Sequence, residues 1–159
     1  MLFLIIIAGI FLLEYGVKRH MDQVRTEKEQ RPLANGRIIL KKYYNTGAAG
    51  NFLSDRPNVM RGIHTAVLVF VCVVLLKIYP QKDAFYGKLG LSFLIGGGCS
   101  NLYDRLTKGH VVDYVSFGFG PKWFRKLVFN IADFFIFAGM ILSMVFELLR
   151  SNRQMVRIL

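Results

Sequence analysis

Four long apolar runs, parted by basic segments, restrict what this chain can fold into more than any other feature. They cover approximately residues 1–17, 62–79, 87–105 and 128–149. About 20 helical residues cross about 30 Å of hydrocarbon, so each run is near spanning length, the first and third being short. A backbone in hydrocarbon must satisfy its own N–H and C=O groups, which leaves helices or a closed barrel. No period-two barrel pattern appears, so the runs read as helices. The expected fold is all-α membrane: four transmembrane helices in a single polytopic domain over 1–159, with a small β-containing segment after the first helix.

The first run is interrupted by Glu14. It has the apolar core of a signal peptide, but no basic stretch precedes it and no small-residue cleavage site follows, so it reads as an uncleaved helix. The connection from Lys18 to Arg61 is long and carries β-leaning stretches such as Arg37-Ile38-Ile39-Leu40, enough for a small sheet on the membrane surface. Pro80 to Tyr86 is a short connection and Arg105 to Leu127 a medium one.

Composition agrees. Of 159 residues, 53% are apolar and only 19% charged, with mean hydropathy +0.39, which is high for a soluble domain of this size. The net charge of +11 would suggest nucleic acid in a soluble protein. Here four hydrophobic runs exclude that class, and the bases cluster between the runs, where anionic lipid head groups are the fitting partner. Cys72 and Cys99 both lie in apolar runs and read as buried thiols. His20, His64 and His110 are scattered, so neither a metal nor another cofactor is expected. Charge does not orient the chain: Lys82, Lys88, Arg150, Arg153 and Arg157 favour one side, while the segment 18–61 holds ten Lys/Arg against four Asp/Glu.

Two acids stand at the edges of apolar runs. Asp113 closes Gly109-His110-Val111-Val112-Asp113, and Asp133 closes Phe129-Asn130-Ile131-Ala132-Asp133. An acid in or beside a span is expensive and persists mostly where it faces a polar cavity or carries function. Each has a plainer reading. Asp113 alone is a solvated loop acid, and Asp133 alone is a carboxylate at a helix start. Asn130 lies three residues before Asp133, on the same face if both are helical. Asp104 and Arg105 read equally well as an interfacial ion pair, and Gly96-Gly97-Gly98 as a smooth packing face. Two converging carboxylates cannot comfortably both ionise, so they share a proton. That suits general acid–base hydrolysis without a covalent intermediate, in a chain with no Gly-x-Ser-x-Gly and no His-Glu-x-x-His.

The order of motifs is specific: Asn101-x-x-Asp104-Arg105, then Val111-Val112-Asp113, then Phe129-Asn130-x-Ala132-Asp133. It resembles the bacterial lipoprotein signal peptidase (signal peptidase II) family. Tyr44-Asn45-Thr46-Gly47-Ala48-Ala49 is similar to that family's box after the first span, and Glu14 and Lys18 stand where the family has an Asp and a Lys. Glu14 for Asp, Gly50 for Phe and Ser100 for Gly are departures from the family pattern. The resemblance implies an intramembrane aspartic endopeptidase that removes prolipoprotein signal peptides on the N-terminal side of a diacylglyceryl-modified cysteine. It implies Asp113 and Asp133 as the catalytic pair, with Glu14, Asn45, Asn101, Arg105 and Asn130 around the substrate. It also implies inhibition by globomycin-type compounds, a bacterial inner-membrane location, both termini cytoplasmic and the β-containing segment outside the cytoplasm. The alternative is a non-enzymatic membrane protein or inactive homologue, whose acids bind a cation or pair with Arg105.

Overall fold

The computed structural model describes residues 1–27, 29–48 and 52–158, with only the backbone described from residue 153. Ala49, Gly50 and the side chains of Arg153 and Arg157, named above, lie outside the described residues. The elements in order are α1 (Leu2–Val24), β1 (Gln30–Leu33), β2 (Ile38–Asn45), α2 (Pro57–Ile78), α3 (Phe85–Thr107), β3 (Val111–Phe117), α4 (Lys122–Lys126) and α5 (Ile131–Ile158). By length and composition, α2 and residues Ile131–Asn152 of α5 are apolar enough to cross a membrane.

The other two long helices are less apolar for a structural reason. α3 is central and packs against α1, α2 and α5, so small and polar residues face protein instead of lipid. The Gly96–Gly98 stretch serves that packing. A Cβ on Gly97 would lie 2.6 Å from the Ala132 carbonyl oxygen, so glycine there lets α3 sit directly on the first turn of α5. α1 carries Glu14 and Lys18, both almost fully buried against its neighbours.

Several boundaries differ from those read in the sequence. α1 continues past residue 17 to Val24, because Lys18 and Met21 are buried and the helix goes on packing where its apolar run ends. α5 begins at Ile131, not 128, because Phe129 is bonded to a strand. The connection 105–127 contains β3 and the short α4, so Asp113 is a strand residue and not a loop acid. The sheet therefore draws on two connections and is antiparallel in the order β1-β2-β3. Tyr43 is paired with Asp113 and Asn45 with Val111, and an irregularity lies between Leu40 and Tyr43.

Candidate functional site

The pairing of β2 with β3 sets the first half of the site. Alternate residues of a strand share a face, so Val111 and Asp113 point one way and Val112 and Tyr114 the other. Asn45 sits diagonally across from Asp113, within reach of its carboxylate. Asn45 Nδ2 donates to Asp113 Oδ2 at 2.9 Å, while Asn45 Oδ1 accepts from Gly47 N at 3.0 Å, an Asx turn that fixes the amide.

The second half comes from the start of α5. Val115 and Phe129 form an antiparallel bridge through two bonds of 2.7 Å. That bridge brings Asn130 alongside Asp113, and Asn130 Nδ2 donates to Asp113 Oδ1 at 2.6 Å. Asn130 and Asp133 then cap the helix reciprocally: Asp133 N donates to Asn130 Oδ1 at 3.0 Å and Asn130 N to Asp133 Oδ2 at 3.0 Å. Asn130 thus precedes the helix instead of sharing its face with Asp133. The capping role of Asp133 is real, yet it occupies only one carboxylate oxygen with backbone. Asp133 Oδ1 accepts from Asn101 Nδ2 at 2.9 Å.

Asn101 links the two halves. Its Oδ1 accepts from Asn130 Nδ2 at 3.1 Å and from Lys18 Nζ at 2.7 Å. Asp113 and Asp133 both line one cavity of about 740 Å³, together with Asn45, Asn101 and Arg105. Its remaining wall is largely apolar, with Ile63, Val67, Leu127, Ile136 and Phe137 among the lining residues. Asn130 and Glu14 stand off the wall: Asn130 is fully buried behind Asp113, and Glu14 is fully buried and accepts from Tyr114 Oη at 2.8 Å. Among the described residues no three His, Cys, Asp or Glu side chains gather as a metal site.

The family model for Signal peptidase (SPase) II matches residues 6–149. The chain belongs to the signal peptidase II family. It is 37% identical over 113 residues to the lipoprotein signal peptidase of Ectopseudomonas mendocina (strain ymp), which covers 69% of this chain and 65% of that protein. It is 39% identical over 103 residues to that of Neisseria gonorrhoeae (strain ATCC 700825 / FA 1090), covering 64% of this chain and 62% of that one. The matched stretch therefore spans just under two-thirds of the length of these relatives. Two solved structures of bacterial membrane enzymes share the fold. One has TM-score 0.76 at 21% identity over 94% of this chain and 88% of that one, and the other 0.73 at 22% over 90% of each.

Within this member of the family, the residues that hold the site extend past those singled out in the sequence. Lys18, noted above only as a family position, is buried between Glu14 Oε1 at 3.8 Å and Asp104 Oδ2 at 3.1 Å. Asp104 and Arg105 do not form an ion pair with each other. Asp104 turns to Lys18 and to Lys108 Nζ at 3.1 Å. Arg105 turns to the cavity, where Nη2 donates to the Gly47 carbonyl at 2.6 Å and Nη1 lies 3.3 Å from His64 Nδ1. Tyr114 was missed. Its Oη accepts from Ile131 N at 3.1 Å while donating to Glu14, so it braces the start of α5. The only sequence signal for it was the run of β-branched and aromatic residues in Val111–Phe117, which marks β3. Burial raises the pKa of the Asp113 carboxyl, and the neighbouring Asp133 carboxylate raises it further.

Proposed function

We propose that the chain is an intramembrane aspartic endopeptidase that cuts prolipoproteins on the N-terminal side of a diacylglyceryl-modified cysteine, with Asp113 and Asp133 as its catalytic pair. One observation carries the reading. Two carboxylates from different elements face one largely apolar cavity, cross-linked by Asn101 and Asn130. Family membership supplies the substrate class, since the relatives are lipoprotein signal peptidases.

The pair holds one proton between two acids. The ionised member takes a proton from water as that water attacks the scissile carbonyl. The protonated member hydrogen-bonds the carbonyl oxygen and then protonates the leaving amine. Asp133 lies in the first turn of α5, where the helix dipole favours an anion. The apolar wall suits a lipid chain and an apolar signal peptide, and excludes bulk water from the reacting carbonyl. Arg105, tied to the Gly47 carbonyl, holds the turn after β2 against the cavity and lends a cation to its wall.

In this reading the chain is one polytopic domain with α1, α2, α3 and α5 as four spans in the bacterial inner membrane. Both termini are cytoplasmic, and the sheet lies at the outer surface among anionic head groups. Globomycin-type compounds would occupy the same cavity. The non-enzymatic alternative has acids that bind a cation or pair with Arg105. Among the described residues Arg105 makes its bonds to Gly47, Asn101 and His64 instead.

Asp113→Asn and Asp133→Asn test the proposal. Each removes one titratable group while keeping shape, and each is expected to lower cleavage of a diacylglyceryl-modified prolipoprotein by at least about 10²–10⁴-fold, with membrane insertion intact. Near-parental turnover in either variant refutes the assignment.

A further inference from the structure

A second cavity, of about 430 Å³, lies at the ends of α1 and α3 and shares no lining residue with the first. Its walls are Tyr15, Arg19, Asp22 and Gln23 of α1 and Tyr103, Thr107 and Lys108 from the end of α3. Spacing explains the grouping. Phe11, Tyr15 and Arg19 recur every four residues on α1, and Tyr103 and Thr107 do so on α3, so two stripes face each other along one seam.

The seam is graded along its length. At its deeper end Phe11, Tyr15 and Tyr103 form an aromatic cluster, with ring centroids of 5.7 Å between Tyr103 and each of the other two. Leu12, Leu13 and Leu106 beside it are more than half exposed, the surface of a helix pair facing lipid. Toward the helix ends the polar tips of Tyr15 and Tyr103 give way to Arg19 and Lys108. Hydrocarbon, then an amphipathic zone, then cation is the order of groups that complements a phospholipid from chain to phosphate.

Charge around the cavity completes the case. Lys108 is shared between Asp104 at 3.1 Å and Asp22 at 3.9 Å. Those two acids have further cations of their own: Asp104 has Lys18 at 3.1 Å, and Asp22 has Lys42 at 3.6 Å and accepts from Tyr44 Oη at 2.6 Å. Arg19 has no carboxylate, hydrogen bond or ion pair among the described residues, although its guanidinium is a fork built for phosphate oxygens. The net effect is a cationic cavity with one uncommitted guanidinium at head-group depth.

We propose that this cavity binds the phosphodiester head group of a membrane glycerophospholipid, with Arg19 as its principal ligand, Lys108 as its second, and an acyl chain lying along Phe11, Tyr15 and Tyr103. The proposal rests on the membrane placement given above but not on the peptidase chemistry.

The test is titration of delipidated protein in detergent, followed by native mass spectrometry, with phosphatidylglycerol, diacylglycerol and glycerol phosphate as separate probes. Phosphatidylglycerol is expected to bind far more tightly than either of the others. Arg19→Gln removes no contact within the protein, so the fold should be unaffected. It should weaken phosphatidylglycerol about fivefold, Arg19→Gln with Lys108→Gln should weaken it further, and Arg19→Lys should restore most of the loss. Asp113→Asn should bind the lipid like the parent, which separates this site from the peptidase reading. Unchanged affinity in Arg19→Gln overturns the proposal. So does equal binding of diacylglycerol, which would mean that only the apolar seam acts. Glycerol phosphate binding as tightly as the lipid also overturns it, since the site would then serve a soluble phosphate ester.

Discussion

Asn101→Asp separates hydrogen bonding from packing at the centre of the site, because the two side chains have the same shape. Asn101 Oδ1 accepts from Lys18 Nζ at 2.7 Å and from Asn130 Nδ2 at 3.1 Å, and a carboxylate keeps both, the first now charge-assisted. The substitution deletes the bond that Nδ2 donates to Asp133 Oδ1 at 2.9 Å and sets a third acid against the pair. A hydrogen bond to a charged group contributes about 1.5–3 kcal/mol, equivalent to about 10–150-fold in a rate or equilibrium. The expected result is a fall of kcat/KM in that range for a diacylglyceryl-modified lipobox peptide in proteoliposomes, with a thermal midpoint close to the parent's. Added negative charge also raises the pKa of the proton the pair shares, so the pH–rate bell should move to higher pH. A folded Asn101→Asp enzyme with parental kcat/KM and an unmoved bell would refute the role given to the Asn101–Asp133 bond.

Asp113 gives a pH signature in stability. Burial and the neighbouring Asp133 carboxylate raise its carboxyl above the usual 3.8, so the folded state holds a proton that the unfolded state has released, and stability should decline as pH rises past the ordinary carboxylate range. Thermal melts in detergent should show Asp113→Asn flattening that slope, and an unchanged slope would mean that Asp113 is not the titrating group. Tyr114→Phe leaves a fully buried Glu14 oxygen and the Ile131 N–H without their partner, so it should lower stability by roughly 1–3 kcal/mol. A double-mutant cycle with Glu14→Gln should be non-additive, and additivity would show that the two do not act together. For topology, single cysteines at Arg37 and Lys122, in a background lacking Cys72 and Cys99, should react with an impermeant thiol reagent from outside the cytoplasm, and one at Lys82 should react only from inside. Lys82 and Lys122 on one face would remove α3 as a span.

Apolar run length was enough to read the helices from the sequence, because lipid-facing and core-facing residues are both apolar there. It placed α2 within a few residues of its observed ends, Pro57–Ile78. It failed where polar residues are buried. Lys18 looked like the end of a span, yet α1 continues for almost two further turns because Lys18 points inward to Asp104 and Asn101. Arg37–Leu40 signalled a strand, and β2 is there, but its partner β3 was not recognised. Strand pairing joins residues 38–45 to residues 111–117, and nothing local to either segment specifies that partner. The two aspartates were legible as unusual acids. Their convergence was legible only through the family pattern, since it depends on the Val115–Phe129 bridge.

That bridge explains why an acidic pair can be held rigid beside a membrane surface. Asp113 sits on a strand and Asp133 on the first turn of a helix, and elements so different drift relative to one another unless something sets their spacing. Here three separate contacts do so: the backbone bridge, the amide chain from Asn130 through Asn101, and the contact of Gly97 with the Ala132 carbonyl. Each acts on a different segment, so loosening one leaves two. Gly97→Ala is the sharpest probe of the third. Its methyl would lie 2.6 Å from the Ala132 carbonyl oxygen, a backbone atom that cannot swing aside, so α5 must shift away from α3. Displacements near 1 Å at a reacting centre can lower rates about 10²-fold. Gly97→Ala should therefore lower kcat more than it raises KM, because Asp133 and Asn101 move while Ile63 and Val67 of α2 stay in place and only Ile136 and Phe137 of the apolar wall move with α5. An effect on KM alone would mean that the α3–α5 contact shapes the cavity and not the acidic pair.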